Sequence, residues 1–240
     1  ARNGVSSVLL ARAGAFGSPS ALDGQAGLFA SHGKREQAQR VSLFEGEAEI
    51  LSVYHKPVPA CNFAQTACQA ALALAQSGRC PVEQIQLITV RVPSAGANYP
   101  GCDFLGPYAH VLQAKMSIQY NVVAALMCAG VSEANFDLLE DPKLHALLAK
   151  TRLEIDDDMT RVYPGSQGGG VEVVLRDGRR MDKRLVDVVN ASPREVFERF
   201  SSATRAVVGP THAEQIERLI DGLEHLDDAG QLAAILAAEA

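Results

Sequence analysis

Apolar positions recur at helical spacing from Val5 to Ala13, and Gly14 and Gly17 stop the run. Ser18-Pro19-Ser20 then offers caps for short helical turns, Ser31 to Gln39 reads as a polar loop or exposed helix, and Glu47 to Val53 alternates weakly. A small-residue helix is predicted over Ala64 to Gln76, stopping at Gly78. Pro81 starts one turn before a strand in which Ile88, Val90 and Val92 share a face by period-two alternation, and Pro93 ends it. Ser94 to Pro107 carries Gly96, Pro100, Gly101, Gly106 and Pro107, which predicts a long functional loop leading to a helix over Leu112 to Ala129, closed by Gly130.

Asp141-Pro142 supplies a cap and a first-turn proline for a helix through Lys150, with Leu144, Leu147 and Leu148 on one face and a hairpin to the preceding helix. Arg152 to Ile155, Val171 to Leu175 and Arg180 to Val186 read as strands, the last two joined around Asp177-Gly178. Between them, Asp156-Asp157-Asp158 reads as a solvated turn and Gly168-Gly169-Gly170 as a flexible one. Capping boxes at Ser192-Pro193-Arg194-Glu195 and Thr211-His212-Ala213-Glu214 return the chain to helix, with a fraying Ala-rich end. The predicted fold class is α+β: helical pieces at residues 1–52 and 190–240 flank an inserted small α/β domain at 53–189.

The segment Lys56-Pro57-Val58-Pro59-Ala60-Cys61 stands just before the Ala64 helix. Its prolines fix their own φ and bias His55, Lys56 and Val58 towards extended backbone, which keeps Lys56 off a helix face. A cation beside a helix start makes a corner suited to a carboxylate. The competing reading is a proline-bracketed loop with a solvated lysine.

This segment resembles the Lys-Pro-x-Pro motif of the MmgE/PrpD family, which includes 2-methylcitrate dehydratase, cis-aconitate decarboxylase and iminodisuccinate epimerase. Other segments are similar to family segments in the same order: Ala1-Arg2-Asn3-Gly4 with Leu9 to Gly14, Pro19 through Leu22-Asp23-Gly24 to Phe29, Met116-Ser117-Ile118-Gln119-Tyr120 through Gly130, Leu175-Arg176-Asp177-Gly178, and Arg199-Phe200. The resemblance implies a helical domain and a smaller α/β domain meeting at a substrate cleft, with the Lys56 corner at their junction, and commonly a homodimer. Family members are roughly twice this long, so an N-terminal half is expected outside this chain. Opening mid-helix without an initiator methionine suits a fragment or a processed chain.

Composition is that of a globular protein, with 47% apolar and 21% charged residues. No apolar run approaches the ~20 residues of a membrane span. A formal net charge of −6 argues against nucleic acid as a partner, although a few local cations suffice for a small anion. Five cysteines without a Cys-x-x-Cys pair suit reduced thiols, hence the cytoplasm. No His-x-x-x-His or ligand-spaced cluster points to a metal, and no phosphate loop, iron–sulfur framework or nucleophile elbow is present. No cofactor is expected.

In the resemblance, Lys56 matches a lysine proposed to hold or act on a substrate carboxylate, and Tyr120 an active-site tyrosine; Tyr120 reads equally as a core residue. Cys61 stands where the decarboxylases carry histidine, which argues against itaconate formation. It reads as a small buried hydrophobe or as a thiolate at a helix start. Arg2 aligns with another site lysine and would clamp a carboxylate bidentately, or sit solvated on its helix. Tyr108 and His110 lie in the long loop, as pocket members or as a polar rim. The expected activity is that of a cofactor-independent lyase removing a proton α to a carboxylate of a small di- or tricarboxylate, as in 2-methylcitrate dehydration. The alternatives are an epimerase of the iminodisuccinate type and a non-catalytic half needing a complementary N-terminal chain.

Overall fold

The computed structural model describes residues 2–40, 46, 49–51 and 53–237. They divide into two units, Ala1–Val53 and Tyr54–Ala240. In the first, helix α1 (Arg2–Arg12) ends as Gly14 turns to φ +91°, and none of its residues is buried. The turns after Ser18 fold back through Leu28 N–H to Ala21 O and Phe29 N–H to Leu22 O, which starts the short helix α2 (Leu28–Ser31). The polar stretch that follows is a 3-10 turn at Arg35–Arg40. Residues 47, 48 and 52 of the weakly alternating segment lie outside the described residues, and Glu49–Leu51 is a 3-10 turn.

The second unit opens with the proline corner, a 3-10 turn at Asn62–Ala64, and α3 (Gln65–Gln76), which ends before Gly78 at φ +68°. Its small residues Ala67, Cys68, Ala70 and Ala71 are buried, so the helix backbone lies close to its neighbours. Strand β1 (Ile85–Val92) buries Ile88, Val90 and Val92, as their alternation requires. The punctuated segment after Pro93 is not wholly loop: Ser94–Ala97 forms α4.

The single helix expected from Leu112 to Ala129 is two, α5 (Val111–Met116) and α6 (Ile118–Cys128), broken at Ser117. Ser117 is extended at ψ 119°. Its hydroxyl donates to Phe104 O at 2.6 Å and accepts from Tyr120 N–H at 3.0 Å, a side-chain competition that diverts backbone from the helix and caps the next one. Left-handed Ala129 (φ +47°), rather than Gly130, terminates α6.

Helix α7 (Pro142–Leu148) is capped by Asp141, whose carboxylate accepts from Lys143 N–H at 2.7 Å, and it buries the three predicted leucines. Strand β2 (Thr151–Ile155) follows. The predicted acidic turn is instead the start of α8 (Asp157–Val162): Asp156 caps Met159 N–H at 2.9 Å and binds the Arg184 guanidinium through both oxygens, at 2.8 and 3.1 Å.

The glycine run is also ordered, because Gly169 and Gly170 open β3 (Gly169–Leu175), which turns at Gly178 (φ +85°) into β4 (Arg180–Leu185). A Cβ on Gly169 would stand 2.6 Å from Ala67 N in α3, so the absent side chain is what lets strand and helix touch. The sheet order is β2-β1-β3-β4, with β1–β2 parallel (Val90↔Leu153) and the other pairs antiparallel (Val90↔Val171, Val173↔Met181).

Helices α3 and α6 form the core with Ile85, Ile88, Leu144 and Leu148, each fully buried or nearly so, and such burial contributes ~1.5–3 kcal/mol per side chain. Across the strands runs an ionic lattice: Glu172 takes Arg91 (3.0 Å) and Arg180 (2.8 Å), and Glu154 takes Arg91 (3.4 Å) and Arg152 (3.0 Å).

The chain closes with α9 (Pro193–Val208), α10 (Pro210–Asp221) and α11 (Gly230–Ala237). The Ser192 capping box forms as expected, with Glu195 N–H reaching Ser192 Oγ and Ser192 N–H reaching Glu195 Oε2 at 2.8 Å. The Thr211 box does not, because Gly209 (φ +79°) and Pro210 start α10 two residues earlier and Thr211 falls inside its first turn. By contact these helices group with the sheet in the second unit.

Candidate functional site

Two faces of the proline corner are fixed by one buried glutamine that sequence reasoning passed over. Gln65 Oε1 accepts from Val58 N–H at 2.9 Å, and its Nε2 donates to the carbonyls of Val58 (2.9 Å), Ala60 (3.1 Å) and Cys61 (3.2 Å). A glutamine opening a run of small helix residues was the available signal, and the structure buries it completely. The corner is also held from outside: Cys61 N–H donates to Lys115 O at 2.8 Å, Ala191 N–H to His55 O at 3.1 Å, and Arg199 to Lys56 O.

Lys56 is exposed, and its Nζ donates to Ala60 O at 3.3 Å. Next to that carbonyl, half-buried Cys61 has its sulfur 3.6 Å from that of Cys102, which is fully buried. The Cys61 thiol is lowered to about 6, chiefly because Cys102 donates to its sulfur; the Phe63 and Asn62 N–H groups and the Lys56 ammonium add to this, against burial. The same pairing and burial push Cys102 up. Of the two sequence alternatives for Cys61, these neighbours favour the charged sulfur.

On the other side of the α3 start lies a second polar network without a sequence motif. Tyr54 donates to Asn62 Oδ1; Asn62 Nδ2 donates to Gln167 Oε1 at 2.9 Å, and Gln167 Nε2 returns to Asn62 O at 2.6 Å. Thr66 Oγ1 binds Gln167 O at 2.6 Å, and Asp187 accepts from Gln167 N–H at 2.9 Å. Burial raises the Tyr54 hydroxyl, assisted by the negative charge of Asp187 and Cys61. Tyr54 thereby belongs to the electrostatic surroundings of the thiol.

The remaining candidates lie on other elements. Tyr120 is fully buried: its ring stacks on Phe136 (centroids 5.9 Å) and meets Tyr108 edge-on (5.1 Å), while its hydroxyl donates to Asn135 O at 2.9 Å. Of its two readings, this placement is the core one. Tyr108 is likewise core rather than loop rim, donating to Phe104 O at 2.9 Å. His110 is exposed and precedes α5 without capping it. Arg2 begins α1 in the first unit.

Two clefts flank this region. One of about 620 Å³ lies beside Pro57 and Pro59, but its charged groups are engaged: Glu133 with Lys115 (2.8 Å), Glu198 with Arg194 (2.7 Å), Glu195 in its capping box, and Arg199 on Lys56 O. The other, of about 380 Å³, is apolar, formed by Val196, Phe197, Phe200 and Ile220 with His55 and Glu217. Among the described residues no group of three or more His, Cys, Asp or Glu side chains is arranged to hold a metal ion. Nor is any described helix long and apolar enough to cross a membrane.

A mixed helix-and-sheet domain that sets an exposed ammonium and an acidic thiol at a helix start has the equipment to hold a small anion and move a proton beside it. The chain matches the family model described as the MmgE/PrpD C-terminal domain over residues 58–225, and it belongs to the MmgE/PrpD family. Cys61 lies inside the matched segment, while Lys56 and Arg2 precede it. No curated protein matches the chain.

Proposed function

We propose that this chain contributes to a lyase acting on a small di- or tricarboxylate by removing a proton α to a carboxylate, with dehydration of a 2-methylcitrate-like hydroxy acid as the leading version. The observation that carries the reading is the placement of Lys56, on Ala60 O at 3.3 Å, next to Cys61 at the N-terminal end of the matched family segment. Lys56 would neutralise a substrate carboxylate and with it the enediolate-like charge that develops as the proton leaves, the kind of prearranged electrostatics that dominates catalysis. With a thiol near 6, Cys61 is largely thiolate at neutral pH and able to accept a proton. In this reading His110 is a further carboxylate contact, and Tyr120 contributes through the core it packs with Tyr108 and Phe136.

The alternative is an epimerase of the iminodisuccinate type, which shares the proton abstraction and returns the proton to the other face of the carbon.

A second reading, a module completed by a complementary chain, rests on α9. That helix is amphipathic yet buries none of its residues, and Phe197 is 50% exposed.

The experiment is incubation with 2-methylcitrate-like, aconitate-like and iminodisuccinate-like acids in deuterated water, followed by NMR and chiral chromatography. Loss of water with a new alkene supports the lyase; deuterium at an inverted carbon supports the epimerase. No turnover by this chain, with turnover appearing when an N-terminal half is added, supports the module.

A further inference from the structure

We propose that Cys61 and Cys102 form a peroxide-oxidisable thiol pair that closes to an intramolecular disulfide. The inference is independent of the reaction assigned above. Its basis is placement: the two sulfurs are already in van der Waals contact at 3.6 Å, one half-exposed and the other fully buried behind it. A disulfide spans about 2.05 Å, so the sulfurs must approach by about 1.5 Å, a movement within reach of side-chain rotation. The backbones on either side are anchored, Cys61 N–H to Lys115 O at 2.8 Å and Cys102 O to Ile118 N–H at 2.9 Å, which keeps the partners facing each other.

The chemistry divides between the two thiols. Cys61 is the attacking group, since Cys102, the Asn62 and Phe63 N–H groups and the Lys56 ammonium all favour its thiolate. Its sulfur displaces hydroxide from hydrogen peroxide and becomes a sulfenic acid. The Cys102 sulfur then attacks that sulfur, the S–S bond forms, and the departing hydroxide takes up the Cys102 proton. Two thiols and one peroxide yield one disulfide and two waters. A buried resolving thiol in contact leaves the sulfenic acid little time to be oxidised further.

The other cysteines lack this arrangement. Cys68 is wholly buried and pushed up to about 12, Cys80 is buried and raised, and exposed Cys128 is raised by burial of part of its surface and by Asp141.

The test uses the full 240-residue chain, reduced, freed of reductant and exposed to hydrogen peroxide, with peptide mass mapping done without reduction. Peptides carrying Cys61 and Cys102 should appear linked, with the loss of two hydrogens, and dithiothreitol should separate them. In Cys102→Ala, where the resolving thiol is gone, dimedone should trap a sulfenic acid at Cys61. Cys128→Ser should leave the link unchanged. If wild-type Cys61 and Cys102 stay unlinked under peroxide that oxidises Cys128, or if Cys61 links instead to another cysteine, the proposal is overturned.

Discussion

Gln65 holds Val58 by both of its backbone groups, accepting its N–H and donating to its carbonyl, each at 2.9 Å. Between two prolines this residue has no secondary structure to satisfy it, so a helix side chain imitates a strand partner. Gln65→Leu should leave the Val58 N–H buried and unpaired, while Val58 O keeps Ala60 N–H at 2.8 Å, and lower stability by about 1–3 kcal/mol. Urea unfolding should show a lower midpoint with an unchanged slope; an unchanged midpoint would mean the corner supports itself.

Lys56 gives the opposite expectation. It is exposed and makes one hydrogen bond, to Ala60 O, so Lys56→Ala should alter stability by no more than ~0.5 kcal/mol. Loss of a charged hydrogen bond to a bound carboxylate should cost ~1.5–3 kcal/mol, a roughly ten- to hundredfold fall in affinity. Melting temperature and binding of citrate-like acids, measured together in an active preparation, decide it. Normal melting with wild-type affinity returns Lys56 to a solvated loop.

Adjacent glycines should differ sharply. Gly169→Ala places a Cβ 2.6 Å from Ala67 N and 3.0 Å from Thr66, backbone that cannot step aside, and overpacking of this kind costs ~1–3 kcal/mol. At Gly170 the nearest atom is Lys183 O at 3.5 Å, an ordinary contact, so Gly170→Ala should be neutral or gain up to ~1 kcal/mol through a less flexible unfolded chain. Equal melting temperatures for the two variants would contradict the close α3–β3 approach.

Alkylation of Cys61 by iodoacetamide should follow its thiolate. The rate, read by mass spectrometry, should rise as pH increases through about 6 and level off above neutrality. Removing the donor thiol in Cys102→Ala should move the midpoint upward the most, and Lys56→Ala should move it upward less, because each favours the charged sulfur. A wild-type midpoint near ~8.5, the ordinary thiol value, would show that neither neighbour acts on it.

Local signals were readable where one residue type does one job: Asp141-Pro142 as a cap, Ser192 with Glu195 as a capping box, Gly178 in the hairpin, and alternation in β1. The misread segments are those where distant chain decides. Ser117 looks like any helical serine until Phe104 O is beside it, and Gly168 to Gly170 looks loose until α3 presses on Gly169. Asp156 gains its role from Arg184, 28 positions away. For the site, the Lys56 corner and Cys61 were visible as a motif, whereas Cys102 and the Asn62–Gln167 exchange needed pairings 41 and 105 residues apart.

At the outer edge of the sheet, β4 turns Arg180, Asp182, Lys183 and Arg184 towards solvent along a strand of six residues. A foreign strand adding there would have to strip water from that row of charges, and Arg180 and Arg184 would have to keep or surrender Glu172 and Asp156 as it arrived. Growth of the sheet by recruitment of another chain is therefore discouraged from this side. The exposed apolar side chains Phe197 and Val207 lie instead on a helix, α9, whose backbone hydrogen bonds are made within the helix and offer a strand nothing to pair with.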